Sequence, residues 1–195
     1  MGSGLLLASG SPRRRELLLE AGFDFDVFPV EVAETLNAAL TLRELTALNA
    51  IRKGMAAARR RPENVVLAAD TLVALDHEVL GKPGSLAEAV AMLTRLGGRA
   101  HDVCTSVFVC QLARARSSSF HEMSRVHFKK LSREKIDKYF TRVDPLDKAG
   151  AYAAQGFGST IIEKIDGSYT NVVGLPMEKT IPALAEFGIG PGSLA

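Results

Sequence analysis

The apolar run Leu5-Leu6-Leu7-Ala8 leads directly into Ser9-Gly10-Ser11-Pro12-Arg13-Arg14-Arg15, and this junction constrains the fold more than any other stretch. Gly4 to Ala8 reads as a short buried strand. Ser11 suits an N-cap and Pro12 the first helical position, so a helix opens at Pro12 and runs to Ala21, with Leu17, Leu18 and Ala21 inward and Gly22 as its stop. The same reading puts three arginines in the first turn, at the end of a helix that is already positive. Unpaired cations there cost roughly 0.3–1 kcal/mol each, so a bound polyanion, phosphate above all, offsets the repulsion and takes up backbone N–H groups. The alternative is three guanidinium groups spread into solvent.

The remaining chain reads as an irregular alternation. Phe25 to Val30 alternates as a strand does, and Thr41 to Arg61 carries Leu45, Leu48, Ile51 and Met55 at helical spacing before Pro62 closes it. Val65 to Ala69 is a continuous apolar run, while Thr71 to Leu75 and Glu78 to Leu80 resemble a hairpin turned at Asp76-His77. Asp70 lies between these strand-like segments. Helices are expected over Ser85 to Leu96, Ser132 to Thr141 and Pro182 to Phe187, and strands over Val103 to Leu112, Val126 to Leu131 and Ser159 to Ile165. Arg114 to Ser119 is polar and reads as a loop. Such interleaving favours an α/β fold on a mixed sheet over a strictly alternating, doubly wound one. With 195 residues, 47% of them hydrophobic, the chain fills one sizeable core or two lobes sharing one sheet, and residues 1–195 are expected to form a single domain.

Charge and motif content exclude several classes. Lys and Arg number 24 against 22 Asp and Glu, which is not the dense positive surface of a dedicated nucleic-acid binder. Arg59 to Arg61 ends a helix, where cations suit the dipole anyway. Cys104 and Cys110 are expected in one strand about 20 Å apart, too far to bond, so two buried reduced thiols in a cytoplasmic protein are expected. No zinc spacing, signal peptide or apolar run of about 18 residues occurs, so neither a membrane span nor a secreted protein is expected. There is no Walker A loop, dinucleotide fingerprint or nucleophile elbow, and His77, His101, His121 and His127 lack evident carboxylate partners.

Asp70 stands out because Val65 to Ala69 deliver its carboxylate to the end of a buried strand, where desolvation is costly without a cation. On pattern alone a catalytic role and a cap or turn role are equally supported. Lys53, on the long helix, and Lys82, in Gly81-Lys82-Pro83, acquire meaning only if they converge with Arg13 and Asp70. A second cluster, Asp147-Lys148-Ala149-Gly150-Ala151-Tyr152-Ala153-Ala154-Gln155-Gly156, is rich in small residues, as where backbone approaches a ligand or packs into a tight turn.

Taken in order, Ser9-Gly10-Ser11-Pro12-Arg13-Arg14, Glu34, Lys53, Ala69-Asp70-Thr71, Gly81-Lys82-Pro83, Asp147 to Tyr152, Gln155-Gly156, Gly167-Ser168-Tyr169 and Val172-Val173-Gly174-Leu175-Pro176 resemble the Maf-like nucleoside triphosphate pyrophosphatases. The resemblance covers nearly the whole chain. It implies an elongated mixed β-sheet flanked by helices, with two lobes and a central cleft, and metal-dependent cleavage of a nucleoside triphosphate to monophosphate and pyrophosphate. Arg13, Thr71 and Gln155 match the substrate-discriminating positions of the branch acting on dTTP and UTP. The Gln155 amide, one donor beside one acceptor, complements a uracil or thymine edge. The resemblance further implies Asp70 as general base, Glu34 and Asp70 as holders of Mg²⁺ or Mn²⁺, and Ser9, Ser11, Arg13, Arg14, Lys53 and Lys82 as phosphate ligands. Many relatives carry two adjacent acidic residues where this chain has Ala33-Glu34, with Glu31 nearby. A cytoplasmic homodimer binding neither nucleic acid nor membrane is expected. The rival reading is a non-catalytic, nucleotide-binding regulator of septum formation and division.

Overall fold

A computed structural model describes residues 4–35, 37 and 39–192. Strand β1 (Leu5–Leu7) and helix α1 (Pro12–Glu20) follow one another as the junction requires. After them come β2 (Phe25–Val27), α2 (Leu42–Arg60), β3 (Val65–Leu75), β4 (Glu78–Leu80), α3 (Leu86–Leu96), β5 (Ala100–Gln111), β6 (Arg116–Phe128), α4 (Arg133–Phe140), β7 (Ile162–Asp166), α5 (Tyr169–Val173) and α6 (Met177–Glu186). The strands form one seven-stranded sheet in the order β2-β1-β3-β5-β6-β7, with β4 paired to β3. Pairing is parallel for β1 with β2 and β3, antiparallel for β3 with β4 and β6 with β7. The sheet is therefore mixed and the fold α/β, as expected.

Two compact units divide the chain: Met1–Asp70, Thr105–Glu122 and Gly174–Ala195 make one, Thr71–Cys104 and Met123–Val173 the other. In the first, a capping box of Thr41 and Glu44 starts α2, whose buried face is Leu45, Thr46, Asn49, Ala50, Gly54, Ala57 and Ala58. The expected stripe was displaced, since Leu48 and Ile51 are each 37% exposed. Hydropathy misled here because the inner face is built from small and polar residues, which let the helix settle closely onto Leu6, Ala8, Val66, Ala68, Phe108 and Cys110. A Cβ added at Gly54 would lie 2.5 Å from Phe108 Cδ1 and 3.3 Å from Ala68 Cβ. Gly54→Ala is therefore expected to destabilise by about 1–3 kcal/mol despite alanine's better helix propensity. Thermal unfolding checks this, and a melting temperature equal to the parent's would contradict so close a seat.

The second unit has its core on Val73, Leu75, Leu80, Leu93, Leu96, Ile136 and Tyr139, with Ser85 and Ser132 capping α3 and α4. His101 of β5 is buried there. Its Nε2 lies 2.7 Å from the Tyr152 hydroxyl, its ring is edge-on to Phe128 and Tyr152, and burial lowers its pKa to about 4, so it is neutral at pH 7. Cys104 and Cys110 are buried and outside any disulfide, and burial raises Cys110 to about 11.

Three further expectations need correction. Asp70 does not end a strand, because β3 runs unbroken through it for 11 residues. The Arg114–Ser119 loop shrinks to a turn over Leu112–Arg114, with β6 beginning at Arg116; the strand's polar, half-exposed start carries no apolar alternation to mark it. Strand β7 begins only at Ile162, after a 3-10 turn at Gly156–Thr160.

Candidate active site

Period-two alternation along β3 puts Asp70 on the same face as Val66 and Ala68, the face covered by α2. Asn49 and Lys53 stand one helical turn apart on that helix and meet the carboxylate together. Lys53 Nζ donates to Asp70 Oδ1 at 2.6 Å and to Glu34 Oε1 at 2.7 Å, while Asn49 Nδ2 donates to Asp70 Oδ2 at 3.2 Å. One ammonium thus lies between two carboxylates. Exposure is graded across the trio, at 5% for the Asp70 side chain, 14% for Lys53 and 37% for Glu34. The uninterrupted strand can carry a buried carboxylate because both its oxygens are bonded, one to a cation. Asn49 drew no attention in the sequence. Its only signal was that Thr46, Asn49 and Lys53 interrupt the apolar pattern of α2 at helical spacing, and Thr46 likewise faces inward, its hydroxyl 2.7 Å from that of Ser106.

The three arginines of the first turn part company. Arg14 is buried, with Nε donating to the Gly174 carbonyl at 2.8 Å and Nη1 to Ser9 Oγ at 3.1 Å. Burial pulls its guanidinium below the ordinary value, Asp70 opposes that shift, Arg13 reinforces it and Glu34 opposes it, so the acidic pair lies within electrostatic reach of α1. Arg13 is half-buried, and only Arg15 is exposed as the solvent-spread reading requires. Ser11 occupies the N-cap position of α1, but its side chain makes no capping bond; instead its N–H donates to Ser9 Oγ at 3.2 Å. Ser9 therefore holds both the turn and Arg14. A depression of about 380 Å³ at this turn is lined by residues 9–12 with Arg15, Glu16, Leu19 and Val27, and does not include Asp70.

Thr71, Lys82 and Gln155 lie in the second unit. Thr71 follows Asp70 in β3 and is half-buried, Lys82 is exposed beyond β4, and Gln155 is half-buried just before the 3-10 turn at Gly156–Thr160. The Gly150 N–H donates to the Gly81 carbonyl at 3.0 Å, which fastens the Asp147–Gly156 cluster to Gly81-Lys82-Pro83. Gly150 has φ of 69°, and a Cβ there would meet both methyls of Val73 at 3.3 Å, so the small residue is a requirement of this junction.

Among the described residues no group of three or more His, Cys, Asp or Glu side chains is placed to hold a metal. Glu34 and Asp70 nevertheless suit a hard divalent cation. Mg²⁺ is commonly held by one or two carboxylates completed by substrate phosphates, and these two already converge on one positive charge.

The Maf-like protein family matches residues 4–187. A Bacillus pumilus protein named dTTP/UTP pyrophosphatase is 44% identical over 187 residues, covering 96% of this chain and 98% of that protein. A Bacillus anthracis protein of the same name is 41% identical over 185 residues, covering 95% and 96%. Among solved structures, a HAM1 protein from Coxiella burnetii superposes with a TM-score of 0.49 at 18% identity, over 66% of this chain and 73% of that chain. With a match that runs from Gly4 to Phe187 and takes in the Asp70–Lys53–Glu34 trio, the Arg13-Arg14 turn and the Asp147–Gly156 cluster alike, the chain belongs to the Maf-like protein family.

Proposed function

We propose that this protein hydrolyses dTTP and UTP at the α–β phosphoanhydride, releasing the nucleoside monophosphate and pyrophosphate. The observation that carries this reading is the Asp70 carboxylate, buried yet bonded through both oxygens and set within electrostatic reach of the arginine turn. The names of the Bacillus relatives support the substrate class. In this reading a water oxygen attacks the α-phosphorus while Asp70 takes its proton, the bond from phosphorus to the bridging oxygen breaks, and pyrophosphate leaves with the electron pair.

Arg13, Arg14, Lys53 and Lys82 neutralise the triphosphate. Arginine grips two phosphate oxygens at once. Ser9 and Ser11 line the turn that receives phosphate oxygens. Glu34 and Asp70 would hold Mg²⁺ or Mn²⁺, which when bound supplies charge neutralisation on the phosphate oxygens. Thr71 and Gln155 read the base. We further assign a homodimer in the cytoplasm that binds neither nucleic acid nor membrane; none of the helices among the described residues is long and apolar enough to cross a membrane.

Pyrophosphate release across dTTP, UTP, dATP, GTP and 7-methyl-GTP tests the reading. Pyrimidine triphosphates are expected to lead in kcat/KM by at least about a hundredfold, because a fixed amide left unpaired by the wrong edge rejects it strongly. Gln155→Ala is expected to erode this preference more than it weakens triphosphate affinity. A parent protein without pyrimidine preference would refute the substrate assignment, and a preference preserved in Gln155→Ala would refute the reader alone.

A further inference from the structure

No motif marks Asn49, yet its amide makes three bonds that converge beside Asp70. Oδ1 accepts from the Thr35 N–H at 2.9 Å, and Nδ2 donates to the Thr35 carbonyl at 3.3 Å and to Asp70 Oδ2 at 3.2 Å. Both donor hydrogens of the amide are therefore used, in a side chain that is 1% exposed. The pair of bonds to Thr35 imitates the exchange between neighbouring strands, although Thr35 lies in no strand. Glu34 is the residue before it, and the described residues from Phe28 to Thr35 lie in no helix or strand. Arg52 Nη1 adds a further hold on Thr35 Oγ1 at 2.6 Å.

Fixing one residue's backbone costs roughly 1–2 kcal/mol in conformational entropy, so an irregular segment keeps its carboxylate in place only where something opposes that cost. Asn49 does so from the rigid side, since it rides α2 one turn from Lys53 and is seated against β3. We propose that Asn49 is a positioning residue that straps the Glu34–Thr35 segment to Asp70, so that the two carboxylates are presented together to one divalent cation. This rests on the metal assignment made above. Asn49 touches no reacting atom in this scheme, and acts only through the two residues it joins.

The test uses the full chain without nucleotide and takes Mn²⁺ as the probe, with free Mn²⁺ read by electron paramagnetic resonance. Asn49→Leu, replaced by Asn49→Ala should circular dichroism show the leucine variant unfolded, is expected to bind Mn²⁺ about ten- to hundredfold more weakly, the usual loss when a residue that orients a metal-binding carboxylate is removed. In a Glu34→Gln background the same substitution is expected to cost several-fold less, because the carboxylate it places is already gone. Equal costs in both backgrounds, parental Mn²⁺ affinity in the single variants, or a parent protein that binds no Mn²⁺ would overturn the proposal. A parent protein that releases no pyrophosphate from any triphosphate, while the two substitutions still prove coupled in Mn²⁺ binding, would overturn the proposed activity and leave the strap standing.

Discussion

Asp70→Asn is expected to lower turnover by about 10²–10⁴ while leaving the fold and nucleotide binding in place. The substitution is nearly isosteric, so β3 keeps its packing; the asparagine carbonyl still accepts from Lys53, while its NH₂ now faces the Asn49 amide as a second donor and gives up that one bond. In the proposed scheme, what disappears is the acceptor for the water's proton, together with one negative charge close to where a triphosphate would sit. Nucleotide affinity should therefore hold or rise as the rate collapses. Rapid-quench measurement of pyrophosphate release, paired with nucleotide titration by calorimetry, separates the two effects. Near-parental turnover in the folded variant would refute Asp70 as the base.

Arg13→Ala is expected to cost about 2–4 kcal/mol in transition-state stabilisation, the range for loss of one preorganised donor to a developing anion. Its neighbour provides the control. Arg14→Ala removes a buried guanidinium from the Gly174 carbonyl and Ser9 Oγ, so it should also lower stability by about 1–3 kcal/mol or more by leaving buried acceptors unpaired. Arg13 is half-buried and should move kcat/KM with a smaller change in unfolding. Steady-state kinetics and urea unfolding on both variants decide the matter. An Arg13→Ala protein that loses stability but keeps its catalytic efficiency would show the residue to be structural.

Much of this architecture could be read before the structure because its signals are local. Serine, proline and an apolar run mark the passage from β1 to α1, and the Asp76-His77 turn is a two-residue hairpin with both φ angles positive, at 49° and 71°. Where the physics is non-local the reading failed. The start of β6 is polar, so only pairing with a neighbouring strand makes it a strand. The inner face of α2 was misplaced because its burial depends on shape, and α5, with five residues, is too short to show a period. Of the site, Asp70 announced itself as a charge after an apolar run. Glu34 came from family resemblance alone, and Lys53 was a bare charge on a helix until the resemblance gave it a role, since no spacing within the chain links positions 34, 53 and 70. Asn49 escaped because its one signal, polar spacing shared with Thr46 and Lys53, does not say which face is buried until the partners are known.

The seating of α2 also bears on how this chain can drift over time. Where a helix is held to its sheet by alanine and glycine, the quantity under constraint is volume, and a substitution that looks harmless on a hydropathy scale can cost about 1–3 kcal/mol. Ala50, Ala57 and Ala58, each at most 1% exposed, have little room for a leucine, whereas Leu48 and Ile51 can turn polar at small cost. Tolerance at these five positions therefore runs opposite to hydrophobicity. Of the apolar positions conspicuous in the sequence, Leu48 and Ile51 are free to change while Leu45 stays buried, and the inconspicuous small ones keep Asn49 and Lys53 within reach of Asp70.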